Sequence, residues 1–359
     1  MKALEISPVT AMLNSAKWAF TARRVHQADA VSINKDIDCA RPGDLVLARV
    51  AELGSHKRVQ LTTGRPSDLY CDDLVVAACA ARYASDQFEG TARLKCATAD
   101  LLAGGGCIGT MLNKHQSKRQ PTRVIPVGLL QDSRGDIINL ERYALGAQNN
   151  RSKPRAIAVV GAAMNSGKTT AAASLVHGLK CAGHHVAALK ATGTGAFGDF
   201  NTYTDAGADF VADFTDAGMA STYMESIDRI KTGLNLLLNG AMDRGCDVAV
   251  VEFADGVLQQ ETAELLGTHS VTSLFESFVY ATGDSLSALG GVVQLAKLGL
   301  QPAALTGTLS LSPLAAREAT EATSLQVLSR EQLCDPVCAS ALAHASARGN
   351  PGVGVELAA

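Results

Sequence analysis

Between residues 157 and 180 the chain carries a stretch that few folds accommodate. The apolar run Ile157-Ala-Val-Val160 leads into Gly161-Ala-Ala-Met-Asn-Ser-Gly167-Lys168-Thr169-Thr170, and Ala171-Ala-Ala-Ser-Leu-Val-His-Gly-Leu-Lys180 follows with helix-forming character. A buried strand, a glycine-bearing turn and a helix, in that order, aim a row of backbone N–H groups and the positive end of the helix at one point in space, which is an anion-binding arrangement. The spacing matches a phosphate-binding loop in its relaxed form. The strict form needs Gly at position 162, where Ala162 stands, and Gly161 lies one residue upstream. Each residue type then has a reason. Gly161, Ala162, Ala163, Met164, Asn165, Ser166 and Gly167 form the wrapping backbone, with the N–H groups of 164–169 on the phosphate, and Gly167 allows close approach. Lys168 supplies a point charge for the β- and γ-phosphates, the Thr169 hydroxyl a ligand for Mg²⁺, and Thr170 a contact near the α-phosphate. The bland alternative is a capped helix start after a turn.

The rest of the composition sets bounds on that reading. A chain of 359 residues is long for one module and points to two domains. With 47% hydrophobic and 19% charged residues it can bury a sizeable core, and a formal net charge of −3 argues against a general nucleic-acid binder. No apolar run approaches the ~18 residues of a membrane span, and Met1-Lys-Ala-Leu-Glu-Ile meets charge too early for a secretory signal. Nine cysteines without an export signal read as reduced thiols, so a cytoplasmic location is expected.

Residues 1–146 read as a smaller β-rich domain, a barrel or a sandwich. Leu45–Val50 is a strand introduced by the turn Arg41-Pro-Gly-Asp44, with Lys57–Thr62 as its expected hairpin partner, and 73–79 and 123–130 are further strands. Gly104-Gly-Gly106 followed by Gly109 marks a flexible loop or a connection needing positive φ. Polar residues over 147–155, from Gln148 to Pro154, read as a linker. From 156 to 345 strands and helices alternate, which predicts a parallel sheet covered on both faces. Strands are expected near 156–160, 186–190, 247–251, 278–281, 303–309 and 325–328. Helices are expected near 168–182, 226–243, 284–298 and 313–322. Residues 346–359 are read as a tail. The fold class is α/β, a parallel-sheet phosphate-loop domain preceded by the β-rich one.

In open α/β sheets ligands gather at the carboxyl ends of the strands. Lys190, Thr192, Glu252 and Asp255 follow strand ends and are expected beside the loop, with Glu252 serving magnesium. Asp199, Asp205, Asp209 and Asp213 form an acidic series. Asp205 and Asp209, at i and i+4, can share one helix face and bind a second metal or an amine substrate. No Asn-Lys-x-Asp guanine-reading motif follows the strand ending Ala281-Thr-Gly-Asp284, so ATP is the expected nucleotide. Cys334-x3-Cys338, His184-His185 and the basic cluster of Lys114, His115, Lys118, Arg119 and Arg123 read as helix-face, turn and loop residues.

Gly161…Gly167-Lys168-Thr169, Lys190-Ala-Thr-Gly193 and Val251-Glu252-Phe253 together resemble the dethiobiotin synthetase-like branch of phosphate-loop NTPases, with Phe253 where that branch has Gly. Ala191-Thr-Gly-Thr-Gly195, Asp209–Phe214 and Ala217-Gly218 resemble more closely a bacterial group of D-glutamate N-acetyltransferase-like phosphate-loop proteins. A looser similarity runs to the molybdopterin-guanine dinucleotide accessory proteins. The first resemblance covers roughly 156–260 and implies that Lys190 contacts substrate or the transferring phosphoryl group. It implies further that Glu252 serves magnesium or substrate. Taken with the loop and strand-end positions, Lys168, Lys190 and Glu252 are the expected catalytic residues, and Thr192, Gly193, Thr194, Asp205, Asp209 and Asp255 are expected toward the substrate. The expected activity is an ATP- and Mg²⁺-dependent ligase or kinase acting on a small metabolite. The alternatives are a nucleotide-binding accessory protein or a CoA-dependent N-acyltransferase. Neither nucleic acid nor membrane is an expected partner. The N-terminal domain is expected to supply part of a substrate pocket or a homodimer contact.

Overall fold

The structure is a computed structural model that describes residues 8–94, 97–146 and 153–345. Most of the expected linker (147–152) and the whole tail, 346–359, lie outside the described residues. The chain divides into two compact units. The first comprises 1–145 together with 194–198 and 214–225, and the second comprises 146–193, 199–213 and 226–359. The second is therefore not the uninterrupted stretch 156–345 expected from the alternation, because two of its connections are built into the first.

The first unit is a closed barrel. Its strands are β1 (Leu45–Glu52), β2 (Leu74–Cys79), β3 (Ala99–Ala103), β4 (Cys107–Lys114) and β5 (Thr122–Gln131). Their order β2-β1-β5-β3-β4 closes through a parallel β2–β4 pairing, while the other contacts are antiparallel. Closure removes exposed sheet edges, and the alternating apolar side chains of Leu45, Leu47, Val76, Ala78 and Leu130 fill one core. Lys57–Thr62 does not pair with β1. Arg58–Gln60 instead forms a hairpin with Pro66–Asp68, closed by Leu61 N–H on Arg65 O at 2.9 Å around Gly64 at φ 83°. Nor is Gly104–Gly106 an open loop. It is the tight turn from β3 to β4, with Gly106 at φ 108° and Gly106 N–H on Ala103 O at 3.0 Å.

The late segments are part of this barrel unit. A side chain on Gly105 would sit 1.8 Å from the carbonyl of Gly195, so the two backbones are in direct contact. Gly195 N–H bonds Ala220 O at 2.9 Å, Phe197 N–H bonds the Gln60 side chain at 2.7 Å, and Ala220 belongs to the core.

The second unit holds a six-stranded, wholly parallel sheet. Its strands are β6 (Arg155–Gly161), β7 (Val186–Lys190), β8 (Phe210–Asp213), β9 (Val248–Glu252), β10 (Ser277–Ala281) and β11 (Ala304–Thr306). They lie in the order β8-β7-β9-β6-β10-β11. The helices include α1 (Lys168–Cys181), α2 (Phe197–Asp205), α3 (Ile227–Asp243), α4 (Gln260–Gly267), α5 (Ser285–Lys297), α6 (Pro313–Thr323) and α7 (Pro336–His344). Central strands buried on both faces read as continuous apolar runs, and β6, β9 and β10 are nearly all buried. Ile157, Val159, Leu175, Leu179, Val248 and Leu342 form the core beneath α1 and α7.

Two details depart from expectation. The run near 303–309 is a strand only to Thr306, where Gly307 at φ 97° turns the chain, and 325–328 contributes a single bridge, Val327 to Leu305. The eight described cysteines are all free.

Candidate functional site

β6 sits in mid-sheet, between β9 and β10, so its carboxyl end opens at the centre of the sheet edge. There the chain turns through 162–167. Asn165 lies at φ 64° and Gly167 at φ 95°, and α1 begins at Lys168. Asparagine and glycine are the residues that enter this backbone region most readily, which accounts for both positions. The Lys168 side chain is buried and folds back to donate from Nζ to Ala163 O at 2.7 Å. The Ser166 hydroxyl is buried inside the loop with no hydrogen-bond partner among the described residues.

Two other strand ends grip the loop. A Cβ on Gly256 would lie 2.2 Å from Ala162 O, and Val257 N–H bonds Gly161 O at 2.9 Å. On the other side Thr308 N–H bonds Ser166 O at 3.1 Å, and a Cβ on Gly307 would lie 2.2 Å from that same carbonyl. The loop is fixed from both sides by glycine-permitted contacts, with the Lys168 ammonium folded onto its own Ala163 carbonyl. This strand–loop–helix on a parallel sheet is the phosphate-loop arrangement that the motif called for.

Lys190 ends β7 in register with Glu252 of β9 on one side and Asp213 of β8 on the other. Its ammonium pairs with Asp199 of α2 and lies 3.5 Å from Glu252 Oε1. Burial works against the charge of Lys190, but Glu252 and Asp199 outweigh it and hold the pKa above the ordinary lysine value. Glu252 is 2% exposed, and its other oxygen, Oε2, accepts a hydrogen bond from the buried hydroxyl of Tyr203. Thr169 lies beside the Tyr203 hydroxyl, whose pKa burial together with Glu252 pushes well up. A chain of contacts thus joins Thr169 of the loop to Tyr203, Glu252, Lys190 and Asp199. Burial lowers the pKa of Lys168, with Glu252 and Asp255 acting against it. Burial raises Asp255 to about 6 despite Lys168 and Lys190, and its backbone is held at φ 63°.

The residues named from sequence separate into two groups. Lys168, Thr169, Lys190 and Glu252 come together. Asp255 belongs with them electrostatically, through Lys168 and Lys190. Thr192 is buried, and its hydroxyl accepts from Ala254 N–H at 2.8 Å, so it pins the segment after β9 rather than facing solvent. Gly193 ends the segment at φ 130°. Thr194 belongs to the first unit, where it bridges Ser221.

Asp205 and Asp209 do not share a helix face. The helix α2 ends at Asp205 because Gly207 turns at φ 92°, and Asp209 precedes β8. Its carboxylate bonds Lys180 at 2.7 Å and Val186 N–H at 2.7 Å, at the amino ends of the strands, away from the phosphate loop. Neither residue is placed to bind a second metal. Sequence reasoning missed Tyr203, which nevertheless carried a signal: Asp199 and Tyr203 stand at i and i+4 on α2, the very spacing read into 205 and 209. Among the described residues no group of three or more His, Cys, Asp or Glu side chains could hold a metal ion.

No protein-family model matches the chain, and no curated protein matches it. Among solved structures it is similar to the signal recognition particle 54 kDa protein of Aeropyrum pernix K1 in complex with GDP. That match has 20% identity and a TM-score of 0.36, over 52% of this chain and 44% of that one. It is also similar to the signal recognition particle receptor FtsY of Elizabethkingia anophelis in complex with GDP. Here identity is 16% and the TM-score 0.34, over 52% of this chain and 60% of that one. The chain therefore spans less than two thirds of the length of either. No helix among the described residues is long and apolar enough to cross a membrane.

Proposed function

We propose that the chain is an ATP- and Mg²⁺-dependent enzyme of ligase or kinase type, of the dethiobiotin synthetase-like kind, acting on a small metabolite. The observation that carries this reading is the placement of Lys190, a buried ammonium held by Glu252 and Asp199 at the carboxyl end of β7. A second fixed cation on the sheet that carries the phosphate loop suits a reaction that moves a phosphoryl group.

The loop N–H groups of 164–169 bind the triphosphate, and Lys168 exchanges its bond to Ala163 O for phosphate oxygens. The unpartnered Ser166 hydroxyl supports an anion at the same place, because a buried hydroxyl without a partner costs about 1–3 kcal/mol that a ligand would relieve. Magnesium fits Thr169 in the manner usual for nucleotide sites, with most of its ligands from phosphate and water, while Glu252, both of whose oxygens already face Tyr203 and Lys190, would serve it only through water. When bound it would neutralise part of the triphosphate charge. Lys190, in this reading, steadies the transferring group while its two carboxylates keep it protonated and in place. Adenine is favoured over guanine because Asp284, the carboxylate after β10, is already used as the cap of α5, accepting from Ser287 N–H at 2.8 Å.

Calorimetric titration with ATP and Mg²⁺ tests the reading, with ADP release measured on adding small carboxylic acids, amines and alcohols. Lys168→Ala is expected to abolish binding and turnover. Undiminished ATP binding by that variant, or tighter binding of GTP than ATP by the unmodified chain, overturns the corresponding part. Slow hydrolysis indifferent to small molecules would favour the accessory-protein reading instead.

A further inference from the structure

A cavity of about 530 Å³ opens in the first unit, lined by residues of the barrel strands and by the inserted segment up to Glu225. Small-molecule sites run from about 300 to 1,000 Å³, so its size is that of a ligand pocket. Its wall is rich in methyl groups, from Ala80, Ala81, Ala92 and Ala220. Most polar groups on the wall are already engaged. The Thr110 hydroxyl donates to Arg93 O at 2.6 Å, Ser221 Oγ accepts from Tyr223 N–H at 3.2 Å, and the Tyr223 hydroxyl donates to Glu89 at 3.0 Å. The thiol of Cys79 donates to Ala92 O at 3.1 Å, and burial pushes its pKa to about 12, so it is a neutral wall and not a nucleophile. Glu225 is itself engaged.

Among the charged groups on the wall the exception is Arg93. Its guanidinium makes no hydrogen bond or ion pair among the described residues, and the residue is exposed on the cavity wall. At the rim, Leu112 is 51% exposed and Met224 is 61% exposed. Met224 also holds its backbone at φ 63°, which costs a non-glycine residue about 1–2 kcal/mol. A large apolar side chain kept both strained and in water is the kind of local cost that accompanies a binding site.

We propose that this cavity binds a small carboxylate with an apolar body: the carboxylate pairs with Arg93, the body rests on the alanine wall, and Met224 and Leu112 cover it. This assigns a ligand site apart from the phosphate loop and does not rest on the nucleotide reading, because every residue invoked belongs to the first unit.

The test uses the full chain and two naphthalene dyes of similar size, the anionic 1-anilinonaphthalene-8-sulfonate and the neutral N-phenyl-1-naphthylamine. Both are expected to give saturable, one-to-one fluorescence increases. The anionic dye is expected to be displaced by 3-phenylpropionate and not by 3-phenylpropionamide. Arg93→Gln should weaken the anionic dye about tenfold and leave the neutral one unchanged. Ala92→Phe should remove both signals by filling the cavity, with circular dichroism confirming the fold. If that variant does not fold, Leu112→Glu, at an exposed position, should repel only the anionic dye. The proposal is overturned by an anionic-dye affinity indifferent to Arg93→Gln, by equal displacement with the amide, or by no saturable signal at all.

Discussion

The hydroxyl of Tyr203 donates a hydrogen bond to the carboxylate of Glu252, and both side chains are buried. Because the other oxygen of Glu252 faces Lys190, this single contact completes the surroundings of a buried charge. Tyr203→Phe removes the donor and leaves the acceptor where water cannot replace it. A loss of about 1–3 kcal/mol is expected in the urea-unfolding free energy, with the far-ultraviolet spectrum unchanged. An unaltered midpoint would mean that Glu252 finds another partner.

Lys190→Ala is expected to be worse than Tyr203→Phe. It strands Glu252 and Asp199 without their cation, and breaking such a pair from one side costs about 3–5 kcal/mol. Lys190→Ala/Glu252→Gln, which removes the stranded charge as well, should recover a measurable part of that loss in the same denaturation experiment.

Asp255 gives the site a pH signature. Burial raises its pKa to about 6, against about 3.9 in an exposed aspartate. The folded state therefore holds this proton more tightly than the unfolded one. As pH rises through about 4 the unfolded chain ionises first, and stability falls until the folded carboxyl ionises near pH 6, after which the penalty is constant. Asp255→Asn keeps a residue that tolerates φ 63° but removes the titration. Its melting temperature relative to the unmodified chain should climb between pH 4 and 6 and then level. A flat difference across that range contradicts the assignment.

Gly256→Ala and Gly307→Ala push a methyl group against the carbonyls of Ala162 and Ser166, neither of which can move without moving the phosphate loop. Each should weaken ATP binding at least about tenfold by calorimetry, about 1.4 kcal/mol or more, while circular dichroism stays native. Unchanged affinity would show that the loop adjusts freely.

Asp209→Ala supplies the contrast. The Asp209–Lys180 pair lies at the opposite ends of the strands from the loop, so the expected cost is about 1 kcal/mol of stability, and ATP affinity should stay within about twofold.

What could be read from the chain beforehand follows the range of the interactions involved. The phosphate loop was legible because its backbone dictates residue types locally: Gly167 needs positive φ and Lys168 must follow it. Lys190 and Glu252 were legible as the last residues of apolar runs. Asp209 was misassigned because Gly207, a helix terminator, was passed over, and β8 with it. The barrel strands could be located one by one, but their pairing could not. β1 chooses β5, some seventy residues on, over the nearby 58–60, a choice made by side chains meeting in the core rather than by any turn. Insertion of 194–198 and 214–225 into the first unit left no mark in composition.

That insertion governs how the molecule can be made. When the ribosome has released residue 146, the barrel still lacks Ala220 from its core and the strip that meets Gly105. Completion waits until residue 225 has emerged, by which time the residues of β6, β7 and β8 have been made but β9, which lies between β7 and β6, has not. The first 146 residues produced alone should be a poor folder.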